Sequence, residues 1–224
     1  MRDLLRLLPV RGALMMRLVV LSGLAGVGKS ELLACLATAG EHAVDLEQLA
    51  AHRGSAFGGL GRPPQPSQRD FTMAVESAMT AGAPDRPTWI EDEGPFLGSL
   101  AIPRDLQAQL ASADVVEVMA SRAARVARLV ETYGHLDRGL LVRATKRLRS
   151  RLGDERTRLA VTSFRSGDPA AAIDVLLPYF DRGYEHRVRM FRRRCLTVVD
   201  LAQHPLPSLI QVTAPPDKDP RPPR

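Results

Sequence analysis

The octapeptide Gly23-Leu24-Ala25-Gly26-Val27-Gly28-Lys29-Ser30 fits the phosphate-loop pattern G-x-x-x-x-G-K-[ST] in full. Each residue type in it has a chemical reason. Gly23, Gly26 and Gly28 let the backbone turn tightly and aim N–H groups at phosphate oxygens. A helix beginning at Lys29 adds the partial positive charge of its N-terminus. Lys29 places a compact cation on the outer phosphates, and Ser30 offers a hydroxyl to Mg²⁺. The motif calls for a phosphate ligand, ATP or another diphosphate. It names neither the ligand nor a reaction.

A carboxylate on the metal side of such a loop belongs at the end of a neighbouring strand. Two stretches offer one: Asp45 and Glu47 after His42-Ala43-Val44, and Glu91, Asp92 and Glu93 after Thr88-Trp89-Ile90. Asp92 or Glu91 is favoured, as Mg²⁺ ligand for either and as a catalytic group for Asp92.

These residues need strands and helices to position them. Arg17–Ser22 reads as a buried strand that delivers the loop, and Lys29–Ala39 as the helix leaving it, with Gly40 as its stop. Ala43–Leu46, Pro87–Ile90 and Ala113–Met119 read as further strands, and Asp70–Ala81 and Arg104–Ser112 as helices. The stretch from His52 to Ser67 is a long loop rich in Gly, Pro and Ser, a kind that is usually functional. Alternating strands and helices imply an α/β fold, a P-loop NTPase-like parallel sheet with helices on both faces. From Ser121 the pattern turns helical, with helices to about Tyr133, over Leu140–Leu152, and on to about Phe191. The expected organisation is an N-terminal extension or linker at 1–16, the P-loop domain at 17–120, a C-terminal all-helical annex at 121–194, and a tail at 195–224 with a disordered end.

The 224 residues carry a net charge of +6, unevenly distributed. Residues 121–194 hold 18 basic and 8 acidic side chains, a surplus of ten, while the remainder is mildly acidic. Arg143, Lys146 and Arg147 form one basic cluster, and Arg187, Arg192 and Arg193 belong to another. Such a surface suits a polyanion, RNA first among them. The two cysteines, Cys35 and Cys195, exclude a disulfide framework and a four-cysteine zinc site, and fit a reduced, cytoplasmic setting. No apolar run reaches the ~20 residues of a membrane span.

Three further stretches carry a family resemblance. They are Asp45-Leu46-Glu47 through His52-Arg53-Gly54-Ser55-Ala56-Phe57-Gly58 to Gln65-Pro66-Ser67-Gln68; Trp89-Ile90-Glu91-Asp92-Glu93 with Ile102-Pro103; and Leu176-Leu177, Tyr179, Asp181 and Tyr184. With the phosphate loop, and in the same order, they resemble the P-loop domain of tRNA 2-selenouridine synthase. The resemblance implies tRNA as partner and geranyl diphosphate as the diphosphate ligand. It also implies conversion of a wobble 2-thiouridine to 2-selenouridine through a geranylated intermediate. His52 and Arg53 are implied as catalytic residues, and Ser55, Gly58, Gln65 and Ser67 as the ligand loop. The family's rhodanese-like domain and its catalytic cysteine have no counterpart here, so a separate rhodanese-like protein is expected as partner. Gly94-Pro95-Phe96 also departs from the family, which usually has Ser followed by basic residues there.

Two other functions fit the phosphate loop. A small-molecule or nucleoside kinase would use the 52–69 loop to close over phosphates. A non-catalytic, nucleotide-dependent interaction module would use the loop only as a switch.

Overall fold

The computed structural model describes residues 17–83, 86–190 and 193–202, with side chains as far as Glu185 in the last helix. The 1–16 extension and the chain beyond 202 lie outside the described residues. In chain order the elements are β1 (Leu18–Ser22), α1 (Lys29–Thr38), β2 (His42–Val44), α2 (Leu46–Leu49), α3 (Gln68–Thr80), β3 (Thr88–Glu91), β4 (Phe96–Leu97), β5 (Leu100–Ala101), α4 (Arg104–Ser112) and β6 (Asp114–Met119). The helical region follows as α5 (Arg122–Tyr133), α6 (Arg138–Arg147), α7 (Arg149–Leu152), α8 (Asp154–Ser166) and α9 (Pro169–Met190), and the chain returns as β7 (Cys195–Asp200).

The main sheet has the order β2-β3-β1-β6-β7, and every pairing in it is parallel. Its central strand β1 is buried along its whole length, as an apolar run covered on both faces must be. Alternation then sorts the side chains. Leu18, Val20 and Ile90 pack with Phe71 and Val75 of α3 and Leu106 and Leu110 of α4. Val19, Leu21 and Trp89 pack on the opposite face with Leu32, Leu33 and Leu36 of α1. A third core joins Leu141 and Leu148 to Ala160, Phe164 and Leu176 in the helical region. Phe57, from the long loop, is buried in this third core and so anchors that loop to the helices.

β7 corrects one boundary. Residues 195–200 were expected in a tail, yet they pair with β6 from Val115↔Cys195 to Met119↔Asp200. The basic helices α5 to α9 therefore lie between two neighbouring strands of one sheet. The signal was present in Leu196-Thr197-Val198-Val199, a short β-branched run, but the Arg-rich stretch before it obscured it. The antiparallel pair β4–β5 was also missed. It is only two residues per strand and turns through Gly98 at φ +61°. Among the described residues, no helix is long and apolar enough to cross a membrane.

Candidate functional site

The phosphate loop leaves β1 and enters α1 with Gly28 at the helix N-cap. Its backbone is held from outside by α5. Arg125 Nε donates to the Ala25 carbonyl at 2.8 Å, and Arg128 Nη1 donates to the Gly26 carbonyl at 2.9 Å. Arg125 also pairs with Asp181 of α9, and Arg128 with Glu31 of α1. Carbonyls drawn toward these guanidinium groups leave the N–H groups of the loop for an anion. Gly26 has to be glycine here. It takes φ +76°, and a Cβ would lie 2.9 Å from the Arg125 carbonyl oxygen and from Leu129 Cγ. Lys29 is folded back over the loop, its Nζ donating to Gly23 O at 3.0 Å and Leu24 O at 3.4 Å.

The loop opens into a cavity of about 520 Å³. Gly23, Gly26, Gly28, Lys29 and Ser30 all line it. Arg53 and Arg62 face it from the long loop, and Arg53 lies over the Tyr133 ring at 5.6 Å from the centroid. Much of the remaining lining is apolar: Phe57, Phe164, Ile173, Leu176, Leu177 and Phe180, with Leu129 against Gly26 of the phosphate loop itself. The cavity thus offers both a site for dense negative charge and apolar surface for a hydrocarbon.

Three carboxylates stand beside the phosphate loop. Glu47, Glu91 and Glu93 each offer an oxygen, and these oxygens lie within 4.8 Å of one another. Glu91 ends β3, is buried, and bonds Ser30 through its side chain. Its Oε1 is buried without a hydrogen-bond partner. A hard divalent cation takes such oxygen ligands, so the group fits Mg²⁺. Burial, then Glu91 and Glu93, push the Glu47 carboxyl up to about 9. Burial raises Glu91 as well, against the opposing charge of Lys29. The folded protein therefore holds a proton on Glu47 that the unfolded chain releases above about 4.5. Stability contributed at low pH is lost as pH rises through this window to about 9. Glu47→Gln is expected to raise the unfolding temperature at about pH 8 and to flatten its pH dependence. Thermal melts across the window check this, and an unchanged slope would count against the assignment.

Asp92 also lines the cavity, but it lies outside the group of three carboxylates and its oxygens are engaged elsewhere, against the metal role expected of it. Arg193 donates to both its oxygens, at 2.9 and 2.8 Å, and Ser22 donates to Oδ2 at 2.6 Å. With its hydrogen committed to Asp92, Ser22 accepts from Tyr184 at 3.0 Å. The Asp92 and Arg193 side chains are only 5% and 6% exposed, so Arg193 is not a surface RNA contact either. Arg143, Lys146 and Arg147 are exposed on α6 as expected, while Arg192 and the Arg187 side chain lie outside the described residues. Asp45 caps α2 by accepting from Gln48 N.

The long loop divides its residues. Gln65 donates to the Ala50 and Leu97 carbonyls and accepts from the Ser99 backbone and hydroxyl, stapling loop to hairpin. Ser67 caps α3. Gly58 lies beneath the His52 ring, where a Cβ would meet Cε1 at 2.7 Å. None of these three lines the cavity, so the ligand-loop role assigned to them is corrected to a structural one. Ser55 does line it and bonds Tyr133. His52 faces away from the cavity; burial and Arg62 hold its pKa below the ordinary value. Residues 16–203 match the tRNA 2-selenouridine synthase AAA domain family.

The chain belongs to that family.

A tRNA 2-selenouridine synthase of Hahella chejuensis is 34% identical over 205 residues, covering 77% of this chain and 52% of the relative. One of Cupriavidus pinatubonensis is 40% identical over 117 residues, covering 51% of this chain and 31% of the relative. The chain thus spans about half, or less, of the length of these curated relatives. Among solved structures, a Janibacter sugar kinase aligns over 88% of this chain and 91% of its own, at 16% identity and a TM-score of 0.38. In this AAA domain Arg62 lines the cavity and Arg125 and Arg128 hold the phosphate loop, three residues not among those expected from sequence. The i, i+3 spacing of Arg122, Arg125 and Arg128 was a usable signal, since it sets basic side chains on one helix face.

Proposed function

We propose that this chain is the prenyl-diphosphate and tRNA-binding part of a tRNA 2-selenouridine synthase. The observation that carries the reading is one cavity lined both by the phosphate loop and by apolar, aromatic side chains. Geranyl diphosphate matches both kinds of lining. Its diphosphate lies on the loop N–H groups, Lys29 and the N-terminus of α1, and its chain lies against Phe57, Leu129 and Phe180. Ser30 and Glu91, with Glu47 and Glu93 close by, would hold Mg²⁺, which neutralises diphosphate charge and favours its departure. Arg53 and Arg62 add fixed positive charge at the same end. The sulfur of a wobble 2-thiouridine attacks C1 of the prenyl group; the C–S bond forms, the C–O bond breaks, diphosphate leaves, and the N3 proton of the base passes to solvent. A kinase's nucleotide and polar acceptor would leave the apolar part of the lining without a role, so the kinase reading is the weaker one.

The selenium step needs a further nucleophile. Cys35 on α1 and Cys195 on β7 are both absent from the cavity lining. We assign that step to a rhodanese-like unit acting with this chain. The exposed Arg143, Lys146 and Arg147 are proposed phosphate contacts for tRNA. The test is incubation of the protein with geranyl diphosphate and a tRNA bearing 2-thiouridine, followed by nucleoside mass spectrometry. A geranylated thionucleoside is expected. Neither product nor binding of either substrate would overturn the reading.

A further inference from the structure

A second, more open groove of about 780 Å³ lies across the long loop from the phosphate cavity. The two share Gly54, Ser55, Phe96 and Phe180, so they adjoin along that seam. Successive loop residues serve opposite sides: Arg53 lines the phosphate cavity and His52 the groove. Phe96, on the β4–β5 hairpin, reaches the seam with 61% of its surface exposed. Gln65 pins the turn that follows, so the ring is presented to both cavities from a fixed backbone. Arg151 of α7 and Arg182 of α9 line the same groove and are exposed, and Arg151 is bonded to Tyr179.

An open aromatic face in a groove that also carries arginines is the chemistry that binds an unpaired nucleotide: the base stacks, and the cations take the flanking phosphates. Charge complementarity favours RNA over a neutral or basic partner. We propose that this groove receives an unpaired nucleotide of the RNA substrate, its base on Phe96 and its backbone on Arg151 and Arg182. The inference deepens the tRNA-modifying reading and rests on it. It adds a route by which the target base reaches the seam where the two cavities meet. A base must leave its stack before chemistry can be done on it, and a shallow aromatic shelf beside the reactive end of a second ligand meets that need.

The test uses the full chain and an anticodon stem-loop RNA with the fluorescent base 2-aminopurine in its loop. With the wild-type protein at low salt, binding should quench the base. Phe96→Ala should weaken RNA binding roughly tenfold or more and relieve the quench, and Phe96→Tyr should restore both. Arg182→Ala should lower the slope of log affinity against log salt by about 0.7. Arg182 does not line the phosphate cavity, so geranyl diphosphate affinity in Arg182→Ala should stay at the wild-type value and report an intact fold. RNA binding unaltered in both Phe96→Ala and Arg182→Ala overturns the groove and leaves the tRNA reading standing. No RNA binding by the wild type overturns both.

Discussion

Replacing Lys29 by alanine should weaken geranyl diphosphate binding by at least about 100-fold while the fold persists. Lys29 is half-buried, and among the described residues its ammonium group donates to the Gly23 and Leu24 carbonyls. An arriving diphosphate offers the same donor charged oxygens in place of neutral ones. Each charge-assisted bond is worth about 1.5–3 kcal/mol, so losing two of them accounts for the factor. The loop itself should survive, because Arg125 and Arg128 still hold the Ala25 and Gly26 carbonyls. Titration calorimetry measures the affinity, and circular dichroism and thermal melts report the fold. Wild-type affinity in the variant would remove the phosphate loop from the site.

The second large effect concerns stability. Asp92→Ala should destabilise the protein by about 3–5 kcal/mol, because it strips a buried guanidinium of its carboxylate. For a chain of this size that lowers the melting temperature by roughly 6–20 °C. Arg193→Ala should cost a similar amount, and the double variant clearly less than the two together, since the second removal relieves the first. The pair joins the end of β3 to the segment entering β7, and through Ser22 it reaches the last residue of β1. A melting temperature unchanged in Asp92→Ala, with ligand affinity lost, would return Asp92 to the metal side.

The parts of the fold legible in sequence were those with a local cause. β1, α1, α3, α4 and α5 show their apolar patterns within short windows of the chain, and Ser121 as the cap of α5 could be read directly. The phosphate loop was legible for the same reason, as its glycines and Lys29 are adjacent. What escaped depended on partners far away in the chain. Asp92 and Glu91 are neighbours of like chemistry at one strand end. Which of them turns to Ser30 and which to Arg193 is decided by strand alternation and by a residue 101 positions on. Gln65 and Ser67 belong to a motif that resembles a ligand loop, yet their bonds go to backbone and to a helix cap. Arg62 had no pattern to mark it; only the curl of the loop sets it beside Arg53. The apolar lining combines Phe57 with residues of α5, α8 and α9, a conjunction that no single window of sequence contains.

The placement of α5 to α9 between β6 and β7 bears on how the chain is made and how it can be divided. During synthesis β6 emerges with an unpaired backbone edge, and it keeps that edge until some eighty further residues have followed. A fragment ending near residue 120 would carry every residue of the phosphate loop. It would also carry an open strand, a loop without Arg125 and Arg128, and an Asp92 deprived of Arg193. Such a fragment is an aggregation hazard rather than a minimal binding unit. The phosphate-loop half and the basic half are therefore obligate companions. Shortening from either side removes something the other requires, and variation is tolerated best at the tips of the helical hairpins, away from the seam.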